Sequence, residues 1–127
     1  MPRVLIADRD TISTSIYSSR FSSASFDVST VESGEACVRK AQEYKPDAIV
    51  LELALPKMDG FQVIRSLKGR QETAKIPVFL LTEIAEQADI DRCEAYGCEG
   101  FFLKPFADPS VVVQRVSAMV QQSYGNL

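Results

Sequence analysis

The chain has 127 residues, of which 46% are hydrophobic and 24% charged, enough for one globular core and without a biased segment. Its formal net charge of −3, with scattered Lys and Arg, argues against nucleic-acid binding, because phosphate contacts need a concentrated basic surface. Histidine is absent, which excludes imidazole bases and histidine-ligated metal centres.

Five short apolar segments alternate with segments of helix length, a spacing typical of βαβ units in a parallel sheet. Four of them are nearly continuous apolar runs, as expected for strands covered on both faces. The second alternates apolar and polar residues, which predicts a strand at the edge of the sheet. The predicted strands are Val4–Ala7, Phe26–Val31, Ala48–Leu51, Pro77–Leu81 and Phe101–Leu103.

Helix start signals follow the first two predicted strands. Thr11 is a candidate N-cap of the first helix, and Ser33 is the candidate start of the second, which is predicted to run to about Tyr44 before Pro46. Helical spacing predicts that the first helix buries a face made of Ile12, Ile16, Tyr17 and Phe21.

Three more helices are predicted further along the chain. Asp59-Gly60 precedes the third, a segment from Ala85 to Tyr96 forms the fourth, and Asp108-Pro109 opens the last. The fourth has few apolar residues. The apolar positions expected to face the core are Phe61, Ile64 and Leu67 in the third helix, and Val112, Val113, Val116 and Val120 in the last.

Polar side chains follow the predicted strands where the strands end. In open α/β sheets, ligands bind beyond the carboxyl ends of the strands, where the strand order reverses. Four strand ends that supply acids, a hydroxyl and an ammonium to one edge are unusual by chance, so a polar pocket is predicted there. The residues at this edge are Asp8, Arg9, Asp10, Glu52, Thr82 and Lys104, the last followed by Pro105.

These segments resemble the receiver domain of two-component response regulators over essentially the whole chain. The resemblance implies one receiver-like domain over residues 1–127, with five parallel strands in the order 2-1-3-4-5 and helices on both faces, the flavodoxin-like α/β arrangement. The MDG turn at residues 58–60 and the KPF turn at residues 104–106 are, in combination, specific for this family. The segments that carry the resemblance are VLIADRD at 4–10, PDAIVLELALPKMDGFQVIRSLK at 46–68, IPVFLLT at 76–82 and GCEGFFLKPF at 97–106.

The resemblance also implies roles for individual residues. In that family an acidic pair after the first strand helps to hold a divalent metal, and an aspartate after the third strand accepts phosphate. By position, Asp8 corresponds to the first acid, Thr82 to the switch hydroxyl, Lys104 to the lysine that pairs with the phosphoryl group, and Phe101 to the aromatic that changes rotamer. The family's bend after this lysine implies a cis Lys104–Pro105 peptide bond.

Two positions depart from the family pattern. Glu52 stands at the phosphoacceptor position, and its extra methylene moves the carboxylate outward by roughly 1.5 Å. Misplacing a reacting group by about 1 Å can lower the rate of phosphoryl transfer on the order of a hundredfold. Arg9 stands at the second acid, either as a solvated charge or as a cation filling the metal site. With Asp8 and Glu52 at −2 and Arg9 and Lys104 at +2, the pocket is predicted to balance without a metal, and Mg²⁺ binding by Asp8 and Glu52 to be weak or absent. Asp10 is expected to face solvent, although turned inward it would complicate this balance.

The first functional hypothesis is a non-enzymatic interaction module, a pseudo-receiver in which a Glu52–Lys104 pair holds one state without phosphate. The alternative is a working receiver in a phosphorelay with weak or altered phosphoacceptor chemistry. A flavodoxin-like flavin binder is disfavoured, because the first βα loop carries acids where phosphate needs donors. The resemblance implies a protein partner (a sensor kinase, a phosphotransfer protein or an output protein or domain) on the helix 4–strand 5–helix 5 face, which includes Ile90 and Phe101.

The remaining features predict an ordinary cytoplasmic protein. No signal peptide is visible and no apolar run is long enough to span a membrane. Cys37, Cys93 and Cys98 include no CxxC pair and are predicted to be reduced thiols that pack as small apolar groups. The chain ends without a recognisable output domain, which leaves open a stand-alone regulator or a piece of a longer protein.

Overall fold

The computed structural model describes residues 1–83 and 85–125, with side chains to residue 122. It contains a five-stranded parallel sheet in the order β2-β1-β3-β4-β5 with helices on both faces, as predicted. The elements in chain order are β1 (Arg3–Ala7), α1 (Thr11–Ser23), β2 (Asp27–Val31), α2 (Gly34–Tyr44), β3 (Ala48–Leu51), α3 (Gly60–Lys68), β4 (Val78–Thr82), α4 (Gln87–Ala95), β5 (Gly100–Leu103) and α5 (Pro109–Gly125).

The sheet separates two apolar cores, because successive side chains of a strand point to opposite faces. In β1, Leu5 belongs to the core under α2, α3 and α4, whereas Val4 belongs to the core under α1 and α5. β3 divides in the same way, with Ile49 on the first side and Val50 on the second. This two-sided burial explains the continuous apolar runs of the inner strands.

β2 is an edge strand, as its alternation predicts. In the described part of the chain it pairs with β1 alone, in a register that aligns Val28 with Val4, and its residues are exposed or partly buried. The central position of β1 and β3 places their carboxyl ends side by side, since Ala7 is aligned with Leu51. The residues that follow these two strands therefore meet at one edge of the sheet.

The first helix differs from its prediction. Its N-cap is Asp10 rather than Thr11, and its buried face consists of Ser13, Tyr17 and Phe21. The expected core positions Ile12 and Ile16 are exposed, by 73% and 44%. The reason is geometric: residues 13, 17 and 21 already form one stripe at intervals of four residues, and 12 and 16 lie about 100° to one side of it.

The other helices agree with their start signals. Ser33 caps α2 through a hydrogen bond from the Ala36 N–H, and Asp59 forms a capping box with Gln62 at the start of α3. α4 is shorter than predicted, because Glu86 is its N-cap. The predicted apolar positions of α3 and α5 are buried. Within the described residues, no helix has both the length and the apolar character needed to cross a membrane.

Candidate functional site

The carboxyl edge of the sheet gathers several polar side chains that are otherwise unusual in a core. Asp8 follows β1, Glu52 follows β3, Thr82 ends β4 and Lys104 follows β5. Asp8, Glu52 and Thr82 are buried. Burying charge is costly unless it is paired, so the contacts among these residues determine what the site can do.

Lys104 lies at the centre of this group. Its Nζ is 2.7 Å from Asp8 Oδ2, 3.6 Å from Glu52 Oε1 and 3.8 Å from Asp10 Oδ2. The predicted Glu52–Lys104 ion pair is thus present, but the tightest partner of the ammonium is Asp8. Burial lowers the pKa of Lys104, yet the hydrogen bond to Asp8 and the charges of Asp8, Glu52 and Asp10 outweigh it, and the net pKa is raised.

Backbone N–H groups fix the two buried carboxylates. The Asp10 N–H donates to Asp8 Oδ1 at 2.9 Å, and the Leu53 N–H donates to Glu52 Oε2 at 2.8 Å. The Glu83 N–H lies 3.4 Å from Glu52 Oε1 and donates to it. The longer glutamate side chain is therefore turned back onto the amide of the next residue, which places its other oxygen on the side of Lys104.

The MDG turn brings α3 against the end of β3. The Gly60 N–H donates to the Leu53 carbonyl at 2.8 Å. A Cβ at Gly60 would lie 2.8 Å from Leu53 Cα and 2.9 Å from the Glu52 carbonyl oxygen, too close for any side chain. Glycine at this position allows the close approach that holds the Glu52–Leu53 backbone in place.

Arg9 takes the solvated position, one of its two expected placements, whereas Asp10 lies partly inside the site. Arg9 is exposed, so it does not fill the pocket. Asp10 uses Oδ1 to cap α1, accepting from the Ile12 and Ser13 N–H groups, and this leaves Oδ2 on the side of Lys104. The predicted charge balance is therefore wrong, because three carboxylates share one ammonium. The N-cap role of Asp10 was missed, although an Asp directly before a helix is itself an N-cap signal.

The expected cis bond before Pro105 is also wrong: the described residues contain no cis peptide bond. A hydrogen bond to β4 already fixes the backbone of Lys104, since its N–H donates to the Thr82 carbonyl at 2.8 Å. A turn follows, in which the Phe106 N–H donates to the Leu103 carbonyl at 3.0 Å. The Lys104 ammonium therefore reaches Asp8 with a trans Lys104–Pro105 peptide bond.

Thr82 and Phe101 occupy the positions that the resemblance implies. Thr82 is the last residue of β4 and is buried beside the acidic edge. Phe101 is the second residue of β5, partly buried, and packs against the core under α2, α3 and α4. The switching roles of the hydroxyl and the ring remain predictions.

The residues do not complete a metal site in this arrangement. Mg²⁺ demands near-ideal octahedral oxygen coordination. Across the described part of the chain, no three His, Cys, Asp or Glu side chains are grouped so that they could hold a metal ion. Asp8 and Glu52, the expected ligands, both contact Lys104 and backbone N–H groups, and the position of the second acid is an exposed Arg9.

The doubly wound sheet with an acidic carboxyl edge defines a receiver-type signalling module. The sequence model of the response regulator receiver domain matches residues 4–117, and the chain belongs to this family.

Individual relatives agree with this assignment. The chain is 34% identical over 123 residues to the DNA-binding dual master transcriptional regulator RpaA of Synechocystis sp., covering 97% of this chain and 51% of the relative. It is 27% identical over 109 residues to the polar-differentiation response regulator DivK of Brucella ovis, covering 86% of this chain and 89% of the relative. The chain covers 51%, 54% and 49% of the first three curated relatives, so it spans about half of the length of each.

Solved structures show the same fold. The receiver domain of a signal transduction histidine kinase from Syntrophus aciditrophicus superposes with a TM-score of 0.86 at 25% identity, covering 96% of this chain and 92% of that one. The receiver domain of a Pseudomonas aeruginosa sensor histidine kinase, described with a magnesium ion in its active-site cleft, gives 0.84 at 22% identity, with coverages of 94% and 98%. Chemotaxis protein CheY4 of Vibrio cholerae gives 0.85 at 24%, with the same coverages.

Proposed function

We propose that this receiver domain is a pseudo-receiver: a cytoplasmic signalling module that acts through protein–protein contacts without normal aspartyl phosphorylation. The observation that carries the proposal is the position of Lys104, whose ammonium lies among Asp8, Asp10 and Glu52. In the family, the lysine at this position pairs with the phosphoryl group. Here the carboxylates already supply its counter-charge.

The energetics favour a fixed pocket. Two unit charges about 4 Å apart attract by roughly 4 kcal/mol at an effective dielectric near 20, before desolvation is subtracted. Asp8 and Glu52 each receive a backbone N–H as well, so leaving this arrangement would break several interactions together. A carboxylate carries one negative charge where an aspartyl phosphate carries more, so Glu52 is at best a partial mimic of the phosphorylated state.

The chemistry of transfer supports the same proposal. Phosphoryl transfer depends on an in-line nucleophile and on a cation that neutralises the transferring group. Glu52 is displaced by a methylene and turned towards the Leu53 N–H. The second acid of the family's metal pair is an exposed Arg9. Both requirements are weakened in the same pocket.

Receiver domains act through protein partners such as kinases and output domains, and are generally not enzymes. We place the partner contact of this chain on the α4–β5–α5 face. An open groove of about 310 Å³ lies there, and Phe106 at its rim is 85% exposed. Exposed aromatic side chains are enriched in protein interfaces. The groove is lined by Ile90, Phe101, Phe102, Leu103, Phe106 and Ala107.

One observation favours the alternative, a working receiver with altered phosphoacceptor chemistry. Asp8, Asp10 and Glu52 carry three negative charges against one on Lys104, and this excess attracts cations to the edge where the family's chemistry occurs. A metal that displaced Lys104 would restore part of the charge arrangement needed for phosphoryl transfer.

Intact mass after incubation with a small phosphodonor and magnesium distinguishes the two. The pseudo-receiver gains no phosphoryl group, whereas a working receiver gains one that is lost in Glu52→Gln. That substitution nearly conserves side-chain volume and removes the nucleophilic charge. A phosphoryl group on the wild type that is absent from Glu52→Gln would overturn the proposal.

A further inference from the structure

Two of the three cysteines meet at the end of α4. Cys93 lies in the last turn of the helix, Tyr96 is its C-cap, and Gly97 adopts a left-handed conformation with φ of 80°. The chain reverses there, and the Cys98 N–H donates to the Cys93 carbonyl at 2.9 Å. This is the hydrogen bond of a Schellman turn, which brings the side chains at its two ends together.

The turn places the side chains of Cys93 and Cys98 on the same side, and both pack in the core under α2, α3 and α4. Cys93 is buried, and its Sγ lies 3.9 Å from the Gly100 carbonyl oxygen. Cys98 is only partly buried, so the pair spans from the core to the surface. Two cysteines at the ends of one Schellman turn, one of them partly open to solvent, are placed so that a disulfide between them closes only a short loop.

The third cysteine is a natural contrast. Cys37 is fully buried in α2, and burial raises the pKa of its thiol to about 12. The hydrogen bond from Cys98 instead lowers the pKa of Cys93, because the donated S–H stabilises the thiolate against the opposing effect of burial. Thiolate is the reactive form, so the pair should oxidise before Cys37 does.

We infer that Cys93 and Cys98 form an oxidisable dithiol, a modification site that a hydroperoxide converts into an intramolecular disulfide. One thiolate attacks a peroxide oxygen, the O–O bond breaks, and the products are a sulfenic acid and, after protonation, water or an alcohol. The second thiol then attacks the sulfenic sulfur, an S–S bond forms, and water leaves. Two thiols are oxidised by two electrons and the peroxide is reduced.

The site couples oxidation to the α4–β5 segment. A disulfide joins the end of α4 covalently to the residue just before β5. Both cysteines and Phe101 pack in the same core. The inference does not rest on the proposed function, because neither thiol contacts the acidic site in the described structure.

The test is thiol counting on the folded wild type after hydrogen peroxide, with alkylation under denaturing conditions. Reduced protein takes up three alkyl groups, one per cysteine. Oxidised protein should take up one and lose the mass of two hydrogens, and dithiothreitol should restore the original state. A protease specific for glutamate cuts at Glu94, between the two cysteines, so only the disulfide would keep the two fragments joined.

Substitutions show which cysteines form the disulfide. Cys98→Ser should abolish the disulfide, whereas Arg39→Met, which changes an exposed side chain, should form it as fast as the wild type. Because Cys93 is buried, its replacement risks the fold, and the fragment map of the wild type makes that variant unnecessary. Three alkylated thiols after peroxide, or a linked fragment that contains Cys37, would overturn the inference.

Discussion

The Lys104 ammonium lies 2.7 Å from a carboxylate oxygen of Asp8, and the two side chains are only 11% and 5% exposed. This pair, rather than Lys104 with Glu52, is the shortest charged contact at the carboxyl edge. A buried ion pair contributes modestly when intact, but removing one member leaves an uncompensated charge.

Lys104→Met should destabilise the domain by about 3 kcal/mol, because Asp8 and Glu52 would remain buried without their cation. Urea unfolding at neutral pH measures this. Arg39→Met is the matched control, since it removes an exposed cation that lies 3.5 Å from Glu35, and it should cost less than about 0.5 kcal/mol. Equal midpoints for Lys104→Met and the wild type would show that the buried pair is incidental.

Stability should fall at alkaline pH, partly because of Lys104. Its folded pKa lies above the ordinary value of 10.5, so its contribution is complete below that pH and is lost as pH rises through the folded pKa. Tyr44 and Cys37, each with a pKa raised to about 12, act in the same direction. The difference between wild type and Lys104→Met in urea unfolding isolates the lysine. It should shrink above pH 10.5, and a constant difference would contradict the assignment.

Magnesium should bind weakly to the wild type, since Lys104 holds the carboxylates that a metal would need. Lys104→Met should bind it on the order of tenfold more tightly, a gain of about 1.4 kcal/mol. The amide resonances of Asp10 and Leu53 report the binding, because these N–H groups donate to Asp8 and Glu52. Submillimolar affinity in the wild type would show that the lysine yields easily.

Glu52→Asp alone should not restore efficient phosphorylation, whereas Glu52→Asp with Arg9→Asp should do so in part. The single change corrects the reach of the nucleophile, and the second supplies the missing acid of the metal pair. Label incorporation from a small phosphodonor with magnesium compares the wild type, both single variants and the double variant. We expect strong non-additivity, because the two residues serve one site. Equal rates for Glu52→Asp and the double variant would make Arg9 a bystander.

Asp10 should stabilise the domain mainly as a helix cap. Asp10→Ala removes the acceptor of the Ile12 and Ser13 N–H groups and should cost about 1 kcal/mol in thermal or urea unfolding. Asp10→Asn keeps an acceptor and removes the charge, so it should cost less, given the 42% exposure of this side chain. Ser33→Ala, at the N-cap of α2, is the control for a lost cap alone. Equal losses for Asp10→Ala and Asp10→Asn would instead assign the effect to charge.

The sequence alone determined the order of elements and most of the packing. Continuous apolar runs identified the inner strands, alternation identified β2 as an edge, and Ser33 and Asp59 marked helix starts, because these signals are local and repeat with the period of the element. The positions of Asp8, Glu52 and Lys104 at one edge also followed, since parallel strands end at the same side of a sheet.

Only the tertiary structure decided how the side chains meet. Ile12 and Ile16 have helical spacing, yet the stripe through Tyr17 and Phe21 is the one that packs on the sheet. Likewise, the path of the loop after β1 sends Arg9 to solvent and leaves Asp10 beside Lys104. Sequence spacing determines which residues reach the edge, but distances and directions depend on the backbone path through each loop, which is set by contacts with distant parts of the chain.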